Sequence, residues 1–132
     1  MRKTLLFLIP IALLIGCKSD KKDPVQTEES IEINSIVKVL KPSEFKDGIM
    51  NEDVQLVDVR TPSEYDEGHI EDATLIDYQS EDFKDRIQQL DKSKPVYIYC
   101  RSGGRSGMAS EIMSELGFIE VYDLEGGILA WE

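Results

Sequence analysis

Pro95-Val96-Tyr97-Ile98-Tyr99-Cys100-Arg101-Ser102-Gly103-Gly104-Arg105-Ser106 is a short apolar, β-branched and aromatic run that ends in a cysteine and passes into a polar, glycine-bearing loop. The run reads as a buried strand, and the residues after Ser106 as a helix. A thiol at such a strand end lies where backbone N–H groups converge. The helix N-terminus and the flanking Arg101 and Arg105 favour its thiolate there, and thiols so placed titrate at roughly 3.5–7.5 instead of about 8.5. A cysteine closing an apolar strand also serves simply as a small buried hydrophobe. The Gly103-Gly104 pair, which permits close backbone approach to a ligand, and cations at both ends of the loop favour a nucleophile in an anion cradle.

Working outward, strand and helix signals alternate. Ser35 to Val39 is a short strand, and Pro42-Ser43 opens a helix carrying Phe45 and Ile49. Val54 to Val59 is a second strand. Thr61-Pro62-Ser63-Glu64 combines an N-cap threonine, a proline at the first helical position and a capping-box glutamate, in a helix stopping at Gly68. Thr74 to Ile76 is a third strand. Phe83, Ile87 and Leu90 form the apolar stripe of a helix whose start carries Glu81 and Asp82. After the Val96–Cys100 strand, Met108, Ile112, Met113 and Leu116 mark the expected inner face of the next helix, with the methionines as core filler. Gly117 is its expected C-cap and Phe118 the accompanying hydrophobic contact. Glu120 to Tyr122 is a last strand, and Gly126-Gly127 leads into a terminal turn ending at Trp131. Strands separated by helices imply an α/β domain with a mostly parallel sheet and helices on both faces. Ligands of such sheets bind beyond the carboxyl ends of the strands, where Cys100 falls.

Residues 1–16 read as a targeting segment: Met1-Arg2-Lys3 is charged, and Thr4 to Ile15 is apolar but too short to span a bilayer. The junction Leu14-Ile15-Gly16-Cys17 resembles a bacterial lipobox, in which the cysteine is acylated and becomes the new N-terminus. The expected organisation is a lipoprotein signal peptide over 1–16, a polar, lipid-anchored flexible tether over 17–34, and one domain over 35–132. Of the 15 basic residues Arg2 and Lys3 fall in the signal, leaving 13 against 26 acidic residues, a net charge of −13. So acidic a protein is poorly suited to nucleic acid or anionic lipid surfaces; no nucleic acid is expected as a partner, and the membrane is one only through the lipid anchor on Cys17. With Cys17 acylated, Cys100 is the one remaining thiol, without an internal disulfide or resolving cysteine. One cysteine and one histidine make a poor zinc site, and no metal or other cofactor is expected.

Three segments resemble the single-domain rhodanese-like sulfurtransferases. They are Leu56-Val57-Asp58-Val59-Arg60 with Glu64-Tyr65 and Gly68-His69-Ile70; Tyr97 to Ser106; and Leu124-Glu125-Gly126-Gly127 with Trp131. The resemblance covers nearly all of 36–131 and implies a five-stranded parallel sheet. It also implies a function: Cys100 takes the outer sulfur of a small anionic donor such as thiosulfate as a persulfide and passes it to an external thiol or cyanide. Amides of Arg101, Ser102, Gly103, Gly104, Arg105 and Ser106 would disperse the charge on that sulfur. Arg101 and Arg105 either orient the donor or brace the loop on acidic neighbours. Ser102 and Ser106 either donate to sulfur or cap the helix, capping being preferred for Ser106. Asp58, Arg60, Glu64 and His69 are read as structural, and Trp131 as packing.

Two rival functions stand against turnover. Cysteine-dependent phosphatases and arsenate reductases need a loop wide enough for a tetrahedral oxyanion, with five residues between cysteine and arginine. Here four separate Cys100 from Arg105. A persulfide carrier or sulfur-delivery module would keep Cys100 but use thiosulfate poorly. Lys18 after the acylated cysteine favours an outer-membrane anchor facing the periplasm, with surface display as an alternative. Oligomeric state is left open.

Overall fold

The computed structural model describes residues 34–132; the expected signal peptide, Cys17 and nearly all of the tether lie outside them. Five strands form one sheet: β1 (Ile36–Leu40), β2 (Gln55–Asp58), β3 (Thr74–Leu75), β4 (Val96–Tyr99) and β5 (Glu120–Leu124). Their order is β1-β5-β4-β2-β3 and every pairing is parallel. Parallel neighbours need crossovers, supplied by α1 (Pro42–Ile49), α2 (Pro62–Glu67), α3 (Phe83–Ile87) and α4 (Gly104–Glu115). A 3₁₀ turn, Gly127–Ala130, follows β5.

The two-residue period of β4 divides the core. Val96, Ile98 and Cys100 join Val57, Val59 and Val121 under α3 and α4. Tyr97 and Tyr99 face the other way, with Phe45 of α1 and Leu124, against Tyr65 and Trp131. All four residues of β4 are buried, as a central strand covered on both faces requires. Trp131 packs edge-on to Phe45, with ring centroids 6.1 Å apart.

Local signals act as the sequence indicates. The Thr61 hydroxyl accepts from the Glu64 amide at 3.3 Å, while the Glu64 carboxylate accepts from the Thr61 amide at 3.0 Å. Gly117 has φ +91° and closes α4, with the buried Phe118 donating its amide to the Met113 carbonyl. Two expectations are corrected. The inner face of α4 is Ser106, Ala109, Ser110 and Met113, whereas Met108 is exposed and Ile112 and Leu116 only flank the core. Small side chains let the first two turns of α4 approach the sheet, which rotates Met108 outward. The helical stripe ending at Leu90 is cut short, since α3 stops at Ile87 and Leu90 packs from the turn beyond.

Beside the β2 end, Asp58 is fully buried and pairs with Arg60, whose Nη2 lies 2.7 Å from Oδ2 and donates also to the Gly68 carbonyl at 2.7 Å. This ties β2 to the end of α2, in keeping with a structural role for both residues. Arg60→Ala strands the buried Asp58 carboxylate without its countercharge. It should lower unfolding free energy by about 3–5 kcal/mol, measured by urea denaturation at neutral pH.

Candidate active site

Cys100 lies immediately beyond β4 and is 1% exposed. The Gly103 amide donates to its Sγ at 3.0 Å and the Ser106 hydroxyl at 3.3 Å. Burial alone would push the thiol up. The Ser106 hydroxyl and the amides of Ser106, Gly103 and Ser102 outweigh it and hold the thiol below its ordinary value. Ser106 sits in the first turn of α4, whose N-cap is Gly103 in the left-handed region (φ +108°) with no side-chain cap. The expectation that Ser106 caps the helix is therefore replaced by a hydroxyl donated to the sulfur.

The loop faces inward because the 3₁₀ turn holds its other side. The Ile128 amide donates to the Cys100 carbonyl at 2.9 Å and the Leu129 amide to the Arg101 carbonyl at 3.2 Å. In a trans peptide the N–H points opposite the C=O. With both carbonyls turned to the 3₁₀ segment, the amides of Arg101 and Ser102 turn toward the sulfur side. Gly127 makes this approach possible: a Cβ on it would lie 2.4 Å from the Arg101 carbonyl carbon, and its φ is +63°. The Ser106 amide, in the first turn of α4, adds a further donor that acts on the sulfur.

The two arginines part company. Arg105 forms a two-pronged ion pair with Glu64, both N–O distances 2.8 Å, so the bracing alternative is the arrangement found for it. Arg105 hydrogen bonds hold the Glu64 carboxyl down at about 2, helped by Thr61 and opposed by partial burial. Glu64 thus closes the α2 capping box and ties α2 to α4. Arg101 is exposed and makes no ion pair among the described residues. Ser102 and Gly104 are likewise exposed on the loop, and Gly103 half-buried. His69 stacks on Tyr65, rings 3.6 Å apart, and donates Nδ1–H to the Tyr65 carbonyl at 2.9 Å, a structural role.

One residue escaped the sequence reading. Asp123 of β5 is 4% exposed and belongs on the α4 side of the sheet, two residues from Val121. A single aspartate inside the strand pattern Val121-Tyr122-Asp123-Leu124 is the signal that could have revealed it, because a charge in a central strand needs a reason.

Cys100 is thus a buried thiol, held below its ordinary value, in a loop at the carboxyl end of a strand of a parallel α/β sheet. Residues 41–132 match the rhodanese-like domain, and the chain belongs to that family. It is 38% identical over 96 residues to the uncharacterized protein YqhL of Bacillus subtilis, covering 73% of each chain. It is 42% identical over 80 residues to a sulfurtransferase of Allochromatium vinosum, covering 61% of this chain and 73% of that one. A crystal structure of a rhodanese-like domain protein from Staphylococcus aureus superposes with a TM-score of 0.64 at 33% identity, over 72% of this chain and 91% of that one.

The Glu64–Arg105 pair carries a pH signature. A carboxyl depressed from 4.5 to about 2 in the fold contributes stability above pH 4.5 that is lost as pH falls toward 2. Unfolding midpoints across that window should fall for the wild-type protein and fall less steeply for Glu64→Gln.

Proposed function

We propose that the protein is a sulfurtransferase that moves a sulfane sulfur from thiosulfate, or a similar anionic donor, to a thiol acceptor through a Cys100 persulfide. The observation that carries this reading is the sulfur of Cys100 accepting from the Gly103 amide and the Ser106 hydroxyl, with an exposed Arg101 that makes no ion pair among the described residues. The Cys100 thiolate attacks the outer sulfur of the donor, the S–S bond of thiosulfate breaks, and sulfite leaves with its electron pair. The new terminal sulfur carries negative charge, which the inward amides of the loop disperse as an oxyanion hole does. An acceptor thiolate then attacks that sulfur, the persulfide bond breaks, and the Cys100 thiolate is restored. Arg101 draws the dianionic donor and steadies the departing sulfite. Arg105, committed to Glu64, sets the shape of the loop and adds positive charge near the sulfur.

The apolar run Thr4–Ile15 ending at Gly16-Cys17 supports acylation of Cys17 and an anchor in the bacterial envelope, at the outer membrane facing the periplasm. Periplasmic thiols or a partner protein would then take the sulfur.

Incubation of the full chain, purified in detergent, with thiosulfate should add the mass of one sulfur atom to the Cys100 peptide. Cyanide should discharge it, and Cys100→Ala should not acquire it. No gain, with Cys100 still alkylatable, would reject thiosulfate as donor and favour a carrier loaded by a protein. Arg101→Ala should raise KM for thiosulfate about tenfold, the loss of one exposed charge-assisted contact of roughly 1.4 kcal/mol. For the anchor, Cys17→Ser should move the protein from the membrane fraction to the soluble one.

A further inference from the structure

Glu64 does more than tie two helices together. Its carboxylate takes both prongs of the Arg105 guanidinium, each N–O distance 2.8 Å. Arg105 lies between Gly103, whose amide donates to Cys100 Sγ at 3.0 Å, and Ser106, whose hydroxyl donates to it at 3.3 Å. A carboxylate is therefore fixed one side chain away from the loop that holds the nucleophile. Its hydrogen bonds to Arg105 hold it down at about 2, so it is ionised at neutral pH. The Arg105 and Glu64 side chains stay 22% and 25% exposed, which leaves the pair open to a ligand arriving from solvent.

Toward such a ligand the pair is neutral, and the other charges at the carboxyl ends of the strands also cancel. Lys41 follows β1 and Glu125 follows β5. Asp77 lies just beyond β3, and the buried Arg60 is matched by Asp58 at the end of β2. Arg101, beyond β4, is exposed and makes no ion pair among the described residues. At longer range its charge is balanced by the acids at the ends of the other strands, in a chain whose net charge is −11. Coulomb energy is proportional to the ligand's charge, so the Cys100 thiolate repels a dianion twice as strongly as a monoanion. No surplus of positive charge at this end of the sheet offsets the difference.

We propose that Glu64, by cancelling the charge of Arg105, biases the site toward sulfane-sulfur donors with one negative charge and against thiosulfate, which has two. Glu64 acts through Arg105 and does not touch the donor, so it is a positioning residue. The donor class is an organic molecule that carries its outer sulfur as a monoanion. The Cys100 thiolate attacks that sulfur, and the S–S bond of the donor, or its counterpart, breaks. The leaving group departs with the bonding pair and one negative charge, and the outer sulfur keeps its own charge as the Cys100 persulfide anion. Two single charges meet and two separate. With thiosulfate three negative charges share the same space, because sulfite leaves as a dianion. The carboxylate that shapes the loop thus also sets which donors the loop admits.

The inference rests on the Cys100 persulfide reading, and its test keeps the two apart. The full chain, purified in detergent, is assayed with thiosulfate and with methanethiosulfonate, which offers the same outer sulfur with one charge fewer. Cyanide takes the sulfur in both assays. The readout is the ratio of kcat/KM for the two donors, from which the fraction of folded enzyme cancels. Glu64→Gln keeps the length of the side chain and removes its charge. Because the energy scales with the donor's charge, the gain for thiosulfate should be the square of the gain for methanethiosulfonate, about tenfold against about threefold. The ratio then moves about threefold toward thiosulfate. Glu64→Asp spoils the two-pronged geometry but keeps the charge, and should retain the wild-type ratio. An unchanged ratio in Glu64→Gln, or an equal change in Glu64→Asp, would overturn the inference and leave sulfur transfer standing. If neither donor adds sulfur to Cys100 by mass, the persulfide reading falls and the inference falls with it.

Discussion

Ile128 and Leu129 donate their amides to the carbonyls of Cys100 and Arg101, and the direction of the whole loop follows from those two bonds. A peptide plane has two polar sides, and binding one side fixes where the other points. With the carbonyls taken by the 3₁₀ turn, the N–H groups are left to the sulfur side, where they act on a thiolate as fixed dipoles with nothing to reorganise. Gly127 is the steric condition for this, because any side chain there would occupy the space of the Arg101 peptide. Gly127, distant from Cys100 in sequence, is therefore part of the architecture of the Cys100 loop.

Around that loop, the sheet distributes roles by its period of two. The tyrosines of β4 turn to the α1 face, where Tyr99 accepts from the Ile70 amide at 3.0 Å and stands under the Arg60 guanidinium. Burial raises the Tyr99 hydroxyl well above its ordinary value, which suits a neutral, structural phenol. Cys100, on the opposite face with Ile98 and Val96, meets the small-residue side of α4. Ser106 and Ser110 there replace the bulk a helix would normally present to a sheet, and the Ser110 hydroxyl returns to the Ser106 carbonyl at 2.8 Å. Polar atoms are thereby brought to the sulfur without opening the site to water.

Charge follows a similar division of labour. In a chain with 26 acidic and 15 basic residues, a cation in the loop is drawn to the nearest carboxylate unless geometry prevents it. Arg105 takes Glu64 as a two-pronged partner and becomes part of the frame that joins α2 to α4. Arg101 is exposed and makes no ion pair among the described residues.

Much of this was present in the sequence by itself. Alternating strand and helix signals, the Thr61–Glu64 capping box and the Gly117 stop are local, set by backbone preferences and side chains within a few residues of each other. They determined a parallel α/β domain, and the run from Val96 to Ser106 marked Cys100 as a thiol in an anion cradle. Tertiary structure decided what depends on partners distant in the chain. The bracing of Arg105 needs Glu64, 41 residues away. The donation from Ser106 to sulfur needs the rotation of α4, which small residues set and which turned Met108 outward against a pattern of apolar side chains. Asp123 reads as one polar residue in a strand, and only strand order β5-β4 with α4 above it buries its carboxyl, in register with Ile98 of β4. Local chemistry is written in neighbouring residues, whereas contacts between strands exist only once the sheet has chosen which strands are neighbours.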